Sequence, residues 1–140
     1  MSVTHLLDTN TCIYIINRRP PGVAEKFAQF SPDAIGLSSI TLAELHFGVA
    51  KSGSPKNLKA LEAFLEPLEV LPFTKAAGVL YGRIRTELER QGRPIGAMDL
   101  LIAAHALALG VTLVTHNRRE FDQVTGLQLN NWFSPEAEAR

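Results

Sequence analysis

Three carboxylates occupy comparable addresses in this 140-residue chain. Asp8 directly follows a short apolar run, residues 3–7. Glu44 comes soon after a second such run, residues 34–37. Asp99 stands at the mouth of residues 100–109, which are apolar throughout except for His105. Taken singly, each acid has a structural use. Asp8 is placed to cap the helix after it. Thr41-Leu-Ala-Glu44 has the spacing of a capping box, in which hydroxyl and carboxylate satisfy free N–H groups reciprocally. Asp99 is a favourable first-turn charge against a helix dipole. Taken together they point to chemistry. In open α/β sheets, ligands bind beyond the carboxyl ends of the strands, and Asp8 and Glu44 follow strand candidates. Asp99 joins them if its helix starts at the same edge. Three carboxylates in one crevice repel, so one keeps a proton or a cation is shared. Oxygen ligands that leave positions for water suit Mg²⁺ or Mn²⁺. Asn117 follows a run of mostly β-branched residues, 111–115. Its amide is suited to orient a water or a phosphate, and equally to serve a turn. Thr9, Asn10 and Thr41 are candidates to hydrogen-bond the acids.

The elements that must position these residues alternate. Residues 3–7 and 34–37 read as short strands, and so do residues 70–72. Residues 12–16 read as a short helix, with a longer strand left open by their β-branched content. Residues 23–30 carry Val23, Phe27 and Phe30 at helical spacing. The next helix starts between Ser38 and Thr41 and runs to Ala50. Ser54 and Pro55 fit the cap and first position of another, over residues 56–65. Thr74 opens a long helix ending at Arg90. Residues 100–109 are too apolar for a surface helix and read as a buried one. Gly110 supplies the stop. Residues 111–115 form a central strand, residues 127–129 an edge strand, and residues 135–140 a frayed tail. Strands alternating with helices predict a mostly parallel sheet covered on both faces. No repeat or linker splits the chain, so residues 1–140 are expected to form one domain.

Composition narrows the function classes. Hydrophobic residues make up 46% and charged residues 20%, as in a globular domain. Fourteen Lys and Arg balance fourteen Asp and Glu, so bulk charge attracts neither nucleic acid nor membrane. Local clusters must do so: Arg18 with Arg19, Arg83 with Arg85, Arg90 with Arg93, and Arg118 with Arg119. The lone Cys12 fits a reducing compartment. Asp8 interrupts the first apolar stretch too early for a signal peptide. No apolar run reaches the ~20 residues of a membrane span. A cytoplasmic protein is expected. His5, His46, His105 and His116 share no metal-binding spacing, which argues against zinc. Ser38 and Ser39 lack the setting of an activated nucleophile, and no glycine-rich phosphate loop is present. Asp8-Thr-Asn10 lacks the second Asp of the aspartate-nucleophile phosphatases.

Four segments carry a resemblance. They are Leu6-Leu-Asp8-Thr-Asn10, Ser38-Ser-Ile-Thr41-Leu-Ala-Glu44-Leu, Gly92-Arg-Pro-Ile-Gly96-Ala-Met-Asp99-Leu-Leu-Ile-Ala-Ala-His105, and Leu113-Val-Thr115-His-Asn117-Arg-Arg-Glu120-Phe. In this order and spacing the chain resembles the PIN-domain family, specifically its VapC-type toxin ribonucleases. The resemblance spans almost the whole chain. It implies a single PIN domain over residues 1–140, with a three-layer α/β/α sandwich around a mostly parallel sheet of about five strands. It implies a catalytic site of Asp8, Glu44, Asp99 and Asn117, in which Asp8, Glu44 and Asp99 hold Mg²⁺ or Mn²⁺. Many relatives have Asp where this chain has Asn117, and Glu120 nearby is open to being a substitute or a surface charge. The reaction implied is hydrolysis of an RNA phosphodiester by metal-activated water, leaving a 5′-phosphate and a 3′-hydroxyl. The expected substrate is structured RNA, closest to the anticodon loop of initiator tRNA. The expected partners are a VapB-type antitoxin and a second copy of the chain. They would meet its early helices, where Tyr14, Ile15, Ile16, Leu42, Leu45, Phe47, Val49, Leu58, Leu61, Phe64 and Leu65 are more apolar residues than one core needs. Two other classes stay open: another metal-dependent phosphoester hydrolase, and a non-catalytic regulator on the same fold.

Overall fold

The computed structural model describes residues 2–133. Five short strands, His5–Leu7 (β1), Ile35–Ser38 (β2), Glu69–Leu71 (β3), Thr112–Val114 (β4) and Leu129–Asn130 (β5), run in the order β3-β2-β1-β4-β5. Every neighbouring pair is parallel. Parallel neighbours need crossover connections, and helices supply them. Thr9–Asn17 (α1), Pro21–Ala28 (α2), Ser39–Ser52 (α3), Pro55–Leu65 (α4), Lys75–Arg90 (α5), Ala97–Leu109 (α6) and Arg118–Phe121 (α7), with a 3-10 turn at Pro32–Ala34, complete the described elements.

Period-two alternation in the strands divides the core into two layers. Leu6 and Leu113 pack with Leu88, Leu100, Ala103 and Phe121, from α5, α6 and α7. Leu7 and Val114 pack with Cys12, Ile15, Val23, Leu45 and Leu61, from α1 to α4. The result is the expected α/β/α sandwich. Chain order places β2 and β3 on one side of β1, and β4 and β5 on the other. The sheet therefore changes direction at β1 and β4, where open α/β sheets form their ligand crevice.

Local chemistry sets the helix starts. The Asp8 carboxylate accepts from the Thr11 N–H at 2.8 Å, so α1 begins at Thr9 and the β-branched residues after it are drawn into helix rather than strand. Ser38 caps α3 by accepting from the Ile40 N–H at 3.0 Å. That removes the Thr41–Glu44 capping box: Thr41 is buried inside the helix, and Glu44 lies beyond the first turn. Ser54 and Thr74 cap α4 and α5 as expected. Gly110 ends α6 at φ 71°, a left-handed conformation that a Cβ disfavours. The chain then turns directly into β4.

Helix α6 carries six buried residues, including His105. The His105 Nδ1 lies 2.8 Å from Ser38 Oγ, which ties this helix to the cap of α3. The final strand sits at Leu129–Asn130 rather than over residues 127–129, because the Leu127 N–H is taken by the Val124 carbonyl in a turn. The proposed tail, residues 135–140, lies outside the described residues. Among the described residues, no helix is long and apolar enough to cross a membrane.

Candidate active site

The carboxyl ends of β1, β2 and β4 lie along one edge of the sheet. Strand register pairs Leu7 with Val114, and the Asp8 N–H donates to the Val114 carbonyl at 3.0 Å. Asp8 is 5% exposed. Burial pushes its carboxyl up, against the pull of hydrogen bonds from Thr11 and Thr115 and of charge on His116. Glu44, half-buried on α3, accepts from Thr9 Oγ1 at 2.5 Å. That contact joins the start of α1 to α3 and orients the second acid.

Asp99 sits in the first turn of α6, which begins at this same edge. Its carboxyl is pushed up to about 6, first by burial, then by the charge and hydrogen bonding of Glu120, then by the charges of Asp8 and Glu44. All three other acids therefore lie within electrostatic reach of Asp99, and among the described residues no Lys or Arg pulls its carboxyl down. Glu120 comes from α7. Its Oε1 accepts from the Gly96 N–H at 2.8 Å, and its Oε2 accepts from Asn117 Nδ2 at 2.6 Å. Asn117 is exposed at the rim, with its own N–H donating to Thr115 Oγ1 at 2.9 Å.

The fold thus brings Asp8, Glu44 and Asp99 together, and Asn117 reaches them through Glu120. The Glu120 carboxylate lies beside Asp99, close enough for its charge and hydrogen bonding to act on that carboxyl. Sequence reasoning passed over Thr11 and Thr115. Their signal is a hydroxyl buried beside a strand end where an aliphatic side chain would otherwise pack. Thr9 does bond an acid, whereas Asn10 is exposed and the Thr41 hydroxyl is buried with no partner among the described residues.

A divalent cation fits this donor set in chemistry: carboxylate oxygens, negative charge in excess, and an acid whose ionised form is disfavoured by burial and by like-charged neighbours. As placed, the acids do not close into a ligand shell, and no group of three His, Cys, Asp or Glu among the described residues does so. Arg118 and Arg119, both exposed, continue the rim beyond Asn117.

Beside Glu44 a groove of about 520 Å³ runs between α1, α3 and α4, with Ile13, Ile16, Leu45, Val49 and Leu61 in its walls. The apolar surplus expected of the early helices divides here. Ile15, Leu45 and Leu61 are core, while Tyr14, Ile16, Leu42, Val49, Phe64 and Leu65 are half-buried. Phe47 is 69% exposed, and Ile13 and Leu58 are each 39% exposed.

Comparison with known proteins covers the same ground. The PIN domain family profile matches residues 5–127. The chain is 44% identical to the tRNA(fMet)-specific endonuclease VapC of Shigella flexneri, over 91% of this chain and 96% of that one. It is also 44% identical to ribonuclease VapC2 of Rickettsia felis, over 91% of this chain and 97% of that one. It superposes with a TM-score of 0.87 on the DNA-bound VapBC crystal structure from Salmonella typhimurium, at 41% identity, covering 94% of this chain and 99% of that one.

Proposed function

The chain belongs to the PIN-domain family and, within it, to the VapC-type toxin ribonucleases, and from that premise we propose that its carboxylate crevice hydrolyses an RNA phosphodiester with a divalent cation. The observation that carries this reading is Asp99, whose carboxyl is raised first by burial and then by Glu120, Asp8 and Glu44. Four acids are not massed without a counter-charge for stability alone, because their repulsion works against the fold. Asp8, Glu44 and Asp99 would hold Mg²⁺ or Mn²⁺, with Glu120 beside them. Such an ion lowers the pKa of a water and offsets charge building on the phosphate.

The chain's own groups divide the remaining work. Thr11 and Thr9 fix the Asp8 and Glu44 oxygens, so these ligands need little reordering. The Asp99 carboxyl, pushed up to about 6 by burial and by the neighbouring Glu120, gains most when positive charge enters. Asn117 braces Glu120. Arg118 and Arg119 attract neighbouring phosphates, which makes binding salt-sensitive.

The substrate follows the names of the Shigella flexneri and Salmonella typhimurium relatives, tRNA(fMet)-specific endonucleases. Within that initiator tRNA the proposed cut is in the anticodon loop, where unpaired bases leave the backbone accessible. A tRNA substrate places the protein in the cytoplasm, and residues 1–140 are taken as one PIN domain. The apolar groove beside Glu44 is the seat for a segment of a VapB-type antitoxin, anchored by apolar residues at helical spacing. A basic side chain on that segment could reach Asp8 and Asp99 and replace the cation. Exposed Phe47 and Leu58 support pairing with a second copy of the chain. A panel of phosphomonoesters and folded RNAs tests the activity. Cleavage of initiator tRNA that leaves 5′-phosphate ends, with the monoesters untouched, is the expected result. Monoester hydrolysis without RNA cleavage would refute it.

A further inference from the structure

The crevice has an aromatic flank that the chemistry above leaves unused. His116 follows Thr115 out of β4. Its ring centroid lies 3.9 Å from that of Phe133, with the planes 34° apart. Tyr14, from α1, meets His116 edge-on at 6.5 Å and Phe133 at 5.5 Å. The Asn131 Nδ2 is 3.4 Å from His116 Nδ1. Tyr14 and Phe133 are half-buried and pack against the core layer of Leu7, Cys12 and Ile15, whereas His116 is exposed. The imidazole is therefore backed by one ring, flanked by another and steadied at one nitrogen, with the rest of it in water.

Its position is specific. His116 immediately precedes Asn117 and Arg118, and it lies close enough to Asp8 for its charge to act on that carboxyl. In chain order after Thr115 come an exposed aromatic face, His116, and then two exposed arginines, Arg118 and Arg119. A nucleotide chain has the same alternation of flat base and charged phosphate. Within a duplex both faces of a base are already stacked. A looped base has a face to give, and stacking on an aromatic side chain is how proteins hold such bases with little regard to sequence.

We propose that His116, braced by Phe133 and Tyr14, is a stacking platform for an unpaired base next to the scissile phosphate. It selects loops over stems and contributes to substrate binding rather than to bond cleavage. The proposal rests on the ribonuclease reading above and names a binding subsite for it.

The test uses the full chain carrying D99N, so that RNA is bound but not cut. An initiator-tRNA anticodon stem-loop is prepared with 2-aminopurine at each loop position in turn, since that base dims when stacked. Quenching is expected at one loop position. H116A and H116Q, made in the same background, should lose it and weaken binding roughly tenfold, while H116F restores both. With Asp99 intact, H116A should raise KM by about the same factor and leave kcat unchanged. An abasic nucleotide at the quenched position should make H116A and the unmodified chain equal. If the chain cuts the RNA but no loop position is quenched, or H116A binds as tightly as the parent, the platform is refuted and the nuclease stands. Retention by H116Q with loss in H116F would assign His116 to hydrogen bonding and overturn stacking. If H116A weakens antitoxin binding and leaves RNA binding intact, the patch belongs to the antitoxin and the proposal fails. Should no RNA be cut while the 2-aminopurine pattern appears as described, the platform survives and the hydrolytic reading falls.

Discussion

The two walls of the crevice are built on opposite terms. On the wall of α1 and α3, each acid has a donor of its own: Asp8 takes the Thr11 N–H, and Glu44 takes the Thr9 hydroxyl. On the wall of α6 and α7, the donors go to Glu120, which takes the Gly96 N–H and the Asn117 amide. Asp99 is left facing Glu120, and burial together with that neighbouring charge raises its carboxyl to about 6. The first wall is a frame, fixed before any ligand arrives. The second is a store of unbalanced charge, and a cation gains most there. Stability and function pull apart most at Asp99; at Asp8 the hydrogen bonds offset only part of the cost of burial.

The sharpest way to break this contrast is to neutralise each wall. D99N and D8N should each lower RNA cleavage by at least about a hundredfold, because each removes an oxygen ligand and its charge. Their effects on stability should differ. D99N removes repulsion and should raise the melting temperature at neutral pH without metal, whereas D8N keeps a capping oxygen and gains less. Thermal melts of both variants, with and without Mg²⁺, check this. Equal activity in all three proteins would remove the site assignment.

The pH dependence carries a definite sign. Asp99 ionises at about 6 in the fold against an ordinary 3.8, so the folded state binds more protons than the unfolded chain between these values. Stability then falls as pH rises through that window, and the loss is complete above it. The advantage of D99N over the parent should therefore grow from about pH 4 to about pH 6 and stay level beyond. A gap that narrows with rising pH would contradict a raised Asp99 carboxyl.

Glu120 and Asn117 sharpen the comparison from the second wall. E120Q should bring the Asp99 carboxyl down towards its ordinary range, visible by NMR titration of that side chain, and should cut cleavage roughly tenfold. N117D should keep or raise activity by adding a carboxylate, and N117A should cost less activity than D99A. The reverse ranking would mean that Asn117 does more than brace Glu120. The smallest expected effect lies on the first wall. T9V leaves Glu44 in place without its donor and should lower stability by about 1 kcal/mol, read by chemical denaturation.

How much of this was legible beforehand depended on which forces spoke locally. The apolar runs before Asp8 and around Leu113, and the greasy helix between Asp99 and Gly110, declared themselves because burial on a sheet demands such residues. Capping was ambiguous at Ser38 and Thr41, both hydroxyl residues within one turn. The sheet chose the first, since β2 ends there, and thereby freed Glu44 from a capping role. Helix α7 went unseen: four residues with one apolar side chain, Phe121, carry no periodic signal. That omission hid the role of Glu120, because only the turn of α7 aims its carboxylate at Asp99. The apolar surplus of the early helices was visible as a surplus, but sequence could not divide it. Packing alone decides that Ile15 and Leu61 are core while Phe47 is left in water.

The central claim is that this crevice is a divalent-cation ribonuclease site, and one experiment meets it directly. The purified chain is given initiator tRNA in excess EDTA, then with Mg²⁺ or Mn²⁺ restored, beside D99N under the same conditions, and the RNA ends are sequenced. The account predicts no cleavage in EDTA, recovery with either ion, 5′-phosphate and 3′-hydroxyl ends at one loop position, and no recovery in D99N. Undiminished cleavage in EDTA, or by D99N with metal present, would contradict it.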